Sequence, residues 1–476
     1  MARIEVKNSI SVVLAKAHVR YEDRNPKSKQ LHITSSEHLP GGNTRTVIYS
    51  QPFPLVFKLG DGAHLQSVDG QVYTDFLNEY SAGVYGHSNS QIREAILQAL
   101  TTGWNYGGHN QNEKILAAKV VQRFGKGGID LVRFTNSGTE ANTMAIAVAT
   151  QMTGRKKVLV FTGGYHGATL IFPKEPLNTM TATLPHDWVL APYNNMAETK
   201  KIVDNLPSQS LAAILIEPVQ GSGGCRPASR EFLSYLRDIA DKLGAIFIVD
   251  EVMTSRLGPH GFLATTGLRA DLMTLGKYVA GGMTFGAFGG RRDIMELFNP
   301  DNGPMAHAGT FNNNVLSMAA GIVGLGIYNE QQVNALNAIG NSLRQILMTN
   351  LVETGVCPKS AAESSQDILE IDSFEGPTKL FKLGEGLGGE LPKMFVTGYG
   401  SIINVRFSGT DSRLWNALFF HHMLENNIYI ATRGYIALSL ELTEAHISEF
   451  VSAFQSFIAI HSKDLVCGVY PNSILS

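Results

Sequence analysis

Between about residues 91 and 330, short and almost wholly apolar runs alternate with longer amphipathic stretches, and this alternation limits the possible fold more than any other feature of the chain. The runs are VRFTNS, KVLVFT, AAILIEPV, AIFIVDEV, LMTLGK and AFGGR; the stretches between them include EANTMAIAVATQM and SREFLSYLRDIADKLG. A strand that is apolar on both faces must be covered on both, and amphipathic helices supply that cover. The pattern therefore predicts an α/β layer built on a mostly parallel sheet. In such sheets ligands gather outside the carboxyl ends of the strands, so the chemistry is expected just after each run.

Either side of this region the pattern differs. Residues 1–35 read as a helix-forming arm of mixed charge, and the segment from Pro40 to Asp75 reads as a β-hairpin or meander, with Gly-Asp-Gly and Asp-Gly as its turn signals. After about residue 330 come helices and two further extended runs, FVTGYGSIINVRF and RGYIALSLEL, which suggest a smaller α+β domain. The expected division is an N-terminal arm and small β segment at 1–80, a large domain at 81–330 and a small domain at 331–476. Within the last, the Ser-, Gly-, Glu- and Lys-rich stretch 357–393 is expected to be an irregular surface insertion.

At 476 residues the chain is long enough for two or three packed units, and 44% hydrophobic with 17% charged residues argues against wholesale disorder. A formal net charge of −2 gives no global field for nucleic acid or an anionic membrane, which leaves small charged metabolites as partners. Cys225, Cys357 and Cys467 have no CxxC spacing and suggest neither a disulfide framework nor a zinc site. The N-terminus holds Glu5, Glu22 and Asp23, which a transit peptide avoids, and no stretch approaches the ~18 apolar residues of a membrane span. A cytoplasmic protein is the expectation. Forty-eight glycines, many of them paired in loops, suggest one large site assembled from several loops.

The residues that carry chemistry fall at the run ends. Asp250-Glu251-Val252-Met253 closes AIFIVD, and Lys277 closes LMTLGK. A lysine has an ordinary pKa of about 10.4 and is a poor nucleophile when protonated; partial burial favours the neutral amine, which forms a Schiff base with an aldehyde. A buried aspartate facing a pyridine nitrogen keeps that nitrogen protonated. Upstream, Ser137-Gly138-Thr139 opens a helix and exposes backbone N–H groups suited to a phosphate, although an ordinary N-cap backed by Glu140 has the same pattern. Gly163-Gly164-Tyr165-His166-Gly167 offers an aromatic ring that could stack on a flat cofactor.

The motifs NSGTEAN, FTGGYHG, IEPV, IVDEVMTSR, LGKYVAGG, GGRRDIM and HAGTF occur in the order found in class III aminotransferases of fold-type I, which this chain resembles. The likeness is strong over about 40–330 and weaker over 395–450, and is nearest to the glutamate-1-semialdehyde aminomutase branch and the β-amino-acid aminotransferases related to it. No GxGxxG follows the first strand, which counts against a dinucleotide. The resemblance implies pyridoxal 5′-phosphate, with Lys277 as its covalent partner and proton shuttle and Asp250 at the pyridinium nitrogen. It implies Val252 beside the ring, Tyr165 stacked on the opposite face and His166 close by. Ser137, Gly138 and Thr139 would hold the phosphate, with Thr310 from the neighbouring subunit of a homodimer, and Glu217 would orient groups near the ring. For the substrate carboxylate, Arg45 in GGNTR and Arg433 in TRGY are the candidates, with Arg256 a third. The expected activity is transfer of an amino group from an amino acid, a β-amino acid for preference, to a 2-oxo acid. An aminomutase or a racemase on the same scaffold is the alternative.

Overall fold

The computed structural model describes residues 10–173, 182–357, 390–465 and 470–471. At its centre lies a seven-stranded sheet. Its spatial order is Leu131–Thr135, Gly286–Gly290, Leu272–Gly276, Ile246–Asp250, Leu211–Ile216, Lys157–Phe161 and Trp188–Ala191. Only Gly286–Gly290 runs against the others, pairing antiparallel with both of its neighbours. All six apolar runs are strands of this sheet. The seventh, Trp188–Ala191, has no counterpart among those runs. It has one neighbour and uneven burial, with Leu190 exposed, so the continuous apolar signature of a central strand is absent.

Helices cover the sheet as the periodicity predicts. Gly138–Thr153 begins at Ser137, whose hydroxyl accepts from the Glu140 amide, and turns Ala141, Ala145, Val148 and Ala149 into the core. Arg230–Leu243 starts under Ser229, buries Phe232, Leu233, Leu236 and Ala240, and stops at Gly244 in the left-handed conformation.

The arm forms two helices, Ile10–Arg24 and Pro26–Ser35. The next segment folds as the expected antiparallel meander, Phe57–Asp61, His64–Ser67 and Val72–Asp75. Its last strand also pairs in parallel with Ile428–Tyr429, so the N-terminal segment and the C-terminal region share one sheet. A second antiparallel sheet, Met394–Tyr399, Ile402–Phe407 and Tyr435–Ala437, contains the strand that follows Arg433 and meets the loop after Leu211–Ile216, where the Thr397 hydroxyl donates to the Gly224 carbonyl at 2.6 Å. Most of the stretch 357–393 lies outside the described residues. Cys357 and Lys393 at its two ends are buried.

Candidate active site

Asp250 ends its strand in register with Thr274 on the next, and Lys277 lies three residues beyond Thr274 at the same rim. The Asp250 side chain is buried and fully engaged. Its Oδ2 accepts from Asn142 Nδ2 and from His166 Nδ1, each at 2.8 Å, and its Oδ1 accepts from the Val252 amide at 3.0 Å. The Thr274 hydroxyl donates to Asn142 Oδ1 at 2.9 Å and lies 3.3 Å from Asp250 Oδ1. A carboxylate held by this many partners has one orientation, with the Nδ1 edge of the His166 ring turned toward it.

Lys277 has φ of +54°, a conformation that costs a non-glycine residue about 1–2 kcal/mol and is typical of functional sites. Burial lowers its pKa to about 8, against the opposing pull of Asp250 and Glu217. Glu217 is itself buried, which pushes its carboxyl up to about 7. Its two oxygens accept from the amides of Tyr165 at 2.8 Å and Gly221 at 3.0 Å, so one side chain ties together the loops that follow two different strands.

Ser137, Gly138 and Thr139 form the first turn of a 16-residue helix at this rim. A Cβ on Gly138 would come within 2.8 Å of Val252, and one on Gly276 within 3.1 Å, so Val252 is wedged between the helix start and the approach to Lys277. Thr139 Oγ1 accepts from the Ala168 amide at 3.2 Å and thereby fixes the end of the Tyr165–His166 loop. The N-cap backed by Glu140 is present as well: Ser137 Oγ accepts from the Glu140 amide at 3.2 Å, and Glu140 turns back to accept from the Asn136 amide at 2.9 Å. The Tyr165 ring is half-exposed, and partial burial holds its phenol above the ordinary value while Arg433 and Arg45 pull the other way. Thr310 is exposed on a loop whose Asn312 receives a hydrogen bond from Asn136 Nδ2 at 3.1 Å.

The three candidate arginines separate. Arg45 pairs with Glu79, and its loop is braced by Tyr80, whose hydroxyl donates to the Val47 carbonyl at 2.9 Å. Arg433 is exposed and reaches Ser222 Oγ at 3.4 Å. Arg256 is fully buried; it donates to Ser401 Oγ at 3.2 Å and to the carbonyls of Ser81 and Leu438, and lies over the Tyr328 ring. It therefore joins segments of the fold and is not available to a substrate.

Glu79 and Ser222 were not among the residues singled out from sequence, and Asn142 and Thr274, which lie within the runs NSGTEAN and LMTLGK, were given no role there. Asn142 left a trace, since it is a polar residue within the buried alanine stripe of its helix. Glu79 left none, because it meets Arg45 across 34 residues.

Fold and rim together define a pyridoxal-phosphate-dependent transferase of fold-type I. Comparison with known proteins extends this to the family. Residues 48–356 match the model for "Aminotransferase class-III". The chain is 42% identical over 465 residues to the β-phenylalanine transaminase of Variovorax paradoxus, covering 95% of this chain and 97% of that protein. The crystal structure of the β-phenylalanine aminotransferase from the same organism superposes with a TM-score of 0.84 at 40% identity, over 96% and 99% of the two chains. An ω-transaminase of Sphaerobacter thermophilus has a TM-score of 0.78 at 29% identity, over 91% and 97%. A glutamate-1-semialdehyde aminomutase of Pseudomonas aeruginosa, at 19% identity with a TM-score of 0.78 over 94% and 98%, shares the fold. The chain belongs to the class III aminotransferases. Its cofactor is pyridoxal 5′-phosphate, and its substrates are a small-molecule amino donor and a keto acid. No described helix is long and apolar enough to cross a membrane.

Proposed function

We propose that the enzyme takes the amino group of a β-amino acid, with an aryl side chain as in β-phenylalanine, and passes it to a 2-oxo acid. The observation that carries this reading is the pair of arginines on separate loops: Arg433 reaches Ser222, next to the Gly221 amide that Glu217 ties to that of Tyr165, and Arg45 sits across the Glu79 turn. The carboxylate of a β-amino acid lies one carbon farther from the amine than that of a 2-oxo acid's product. One fixed guanidinium serves both distances poorly; two on different elements serve each. The identity to the β-phenylalanine transaminase supports the same choice.

The residues present fit the cofactor. Lys277 has a lowered pKa, Asp250 is a buried carboxylate, Tyr165 offers a half-exposed ring, and the first turn of a long helix offers free amides. Pyridoxal phosphate, when bound, supplies an aldehyde and a ring able to accept the electron pair left by a departing proton. Asp250 would hold the proton on the ring nitrogen, with His166 and Asn142 holding Asp250. Ser137, Gly138 and Thr139 would hold the phosphate, joined by Thr310 of a second copy of the chain. Val252 and Tyr165 would confine the ring, and Glu217 positions the Tyr165 backbone. Lys277 Nζ would take and return the proton of the substrate carbon that bears nitrogen. The segments 1–80 and 331–476, which share a sheet through Val72–Asp75 and Ile428–Tyr429, flank the large domain at 81–330, and a cytoplasmic location accords with the free, buried thiols of Cys225 and Cys357.

An amino-donor screen that follows conversion to the pyridoxamine form tests the substrate class, and omission of the 2-oxo acid separates a transaminase, which stops, from an aminomutase or racemase, which does not. Arg45→Ala and Arg433→Ala should impair the two half-reactions unequally, each by tenfold or more in single-turnover spectroscopy, as loss of a charged bidentate contact implies. Equal damage to both halves refutes the division of labour.

A further inference from the structure

The two substrate-facing arginines are not equivalent in charge. Among the described residues Arg433 has no carboxylate partner, whereas Arg45 is already paired with the chain's own Glu79. Glu79 is exposed, yet it is not a casual surface partner. It stands on a turn in which four successive non-glycine residues are left-handed, Asn78 at φ 45°, Glu79 at 51°, Tyr80 at 51° and Ser81 at 80°. L-residues adopt that conformation singly, not in runs, and a run persists only where its surroundings over-determine it.

The surroundings are on hand. Asn78 is buried; its Nδ2 donates to the carbonyls of Asp75 at 2.9 Å and Ala437 at 2.7 Å, while Asp75 Oδ1 accepts from the amides of Leu77 at 2.8 Å and Asn78 at 3.0 Å. Arg256 holds the Ser81 carbonyl at 3.3 Å, and the Tyr80 ring lies 5.5 Å from Tyr435. The turn is thus clamped to the strand that follows Arg433, and it presents Glu79 to Arg45.

We propose that Glu79 is the exchangeable counter-ion of Arg45: it occupies the guanidinium until a substrate carboxylate takes its place, so that Arg45 binds carboxylates conditionally while Arg433 binds them at all times. This rests on the reading of Arg45 as a substrate arginine. A carboxylate-free amine leaves the Arg45–Glu79 pair intact and strands no charge; a β-amino acid must displace Glu79. Glu79 is a positioning and specificity residue and does not touch the reacting atoms.

The test uses the holoenzyme with a fixed 2-oxoglutarate concentration. KM and kcat are measured for β-phenylalanine and for 1-phenylethylamine, which lacks the carboxylate, in wild type, Glu79→Gln, Arg45→Ala and the double variant. An exposed ion pair is worth little, so Glu79→Gln should lower KM for β-phenylalanine by about two- to five-fold. It should bring no such decrease for 1-phenylethylamine, and none in the Arg45→Ala background. A raised KM in Glu79→Gln means the residue only braces the loop and overturns the proposal. An equal decrease with and without Arg45 means a general field effect and overturns it too. A raised KM in Arg45→Ala with no decrease in Glu79→Gln removes this proposal alone. A wild-type KM in Arg45→Ala removes the arginine reading beneath it.

Discussion

At the scale of single residues, Lys277 and Asp250 are set by opposite means. Lys277 is tuned by burial, and the sign of its pH response follows. Only the neutral amine attacks an aldehyde, so with a pKa of about 8 the rate of cofactor uptake by the apoenzyme should rise about tenfold per pH unit below that value and level off above it. Stopped-flow absorbance across the range reads this directly; a profile still climbing near pH 10 would mean an untuned lysine. Asp250 is set by its donors. In Asp250→Asn the amide oxygen can still accept from His166 and Asn142, but its NH2 group then faces the Val252 amide, donor against donor. The variant should remain folded, with about 1–3 kcal/mol lost, and should lose about a hundredfold or more in rate, because an amide cannot balance a protonated ring nitrogen. Thermal unfolding and single-turnover kinetics measure the two effects, and a rate close to wild type contradicts the role given to Asp250.

At the scale of elements, the site depends on close approach of backbones. The strand Gly286–Gly290 is the antiparallel member of the large sheet, and at Gly286 a Cβ would overlap the carbonyl oxygen of Ser137 and the Thr135 hydroxyl. Glycine there lets the strand pass directly beneath the helix start proposed for the phosphate. Gly286→Ala should therefore destabilise the fold by about 1–3 kcal/mol through overpacking and also raise the dissociation constant of the cofactor, since Ser137 must move. Differential scanning calorimetry and equilibrium dialysis of the cofactor check this; a variant with unchanged melting and unchanged affinity would show that the strand can shift without disturbing the loop. Arg256 teaches the complementary lesson. Its place in the DEVMTSR motif suggested a substrate contact, but burial under the Ser81 and Leu438 carbonyls makes it a brace between elements.

At the scale of the whole molecule, one chain leaves a surface that a soluble monomer rarely keeps. Trp104, Tyr106 and Phe311 are 53%, 48% and 57% exposed. They sit on two neighbouring loops that Asn313 stitches together through the Gly108 carbonyl at 3.1 Å. Thr310 is next to Phe311 on the second loop. A twofold partner placed on this surface would cover the aromatics and carry Thr310 toward another copy's phosphate site. The expected minimal active unit is thus a homodimer. Phe311→Glu should shift light scattering toward monomer and reduce activity in the same fractions, and a fully active monomer would rule out shared sites.

How much of this was written in the sequence follows from the range of each interaction. Six of the seven strands of the large sheet, the covering helices and the positions of Asp250, Lys277 and the Ser137–Thr139 turn were legible because each rests on local pattern: apolar runs, helical period, and a polar residue closing a buried strand. The edge strand Trp188–Ala191 was not: it is four residues long and only Ala191 is buried, so it lacks the continuous burial that produces the pattern. Nor was the left-handed turn at Asn78–Ser81, whose four residues include no glycine and owe their conformation to Asp75, Ala437 and Arg256. The sequence by itself determined six of the seven strands, the rim at which their polar residues gather and the family. Tertiary structure alone decided that Arg256 is a brace, that Asn142 and His166 together orient Asp250, and that Arg45 already has a carboxylate. Those outcomes depend on contacts between residues tens to hundreds of positions apart, and no local pattern encodes them.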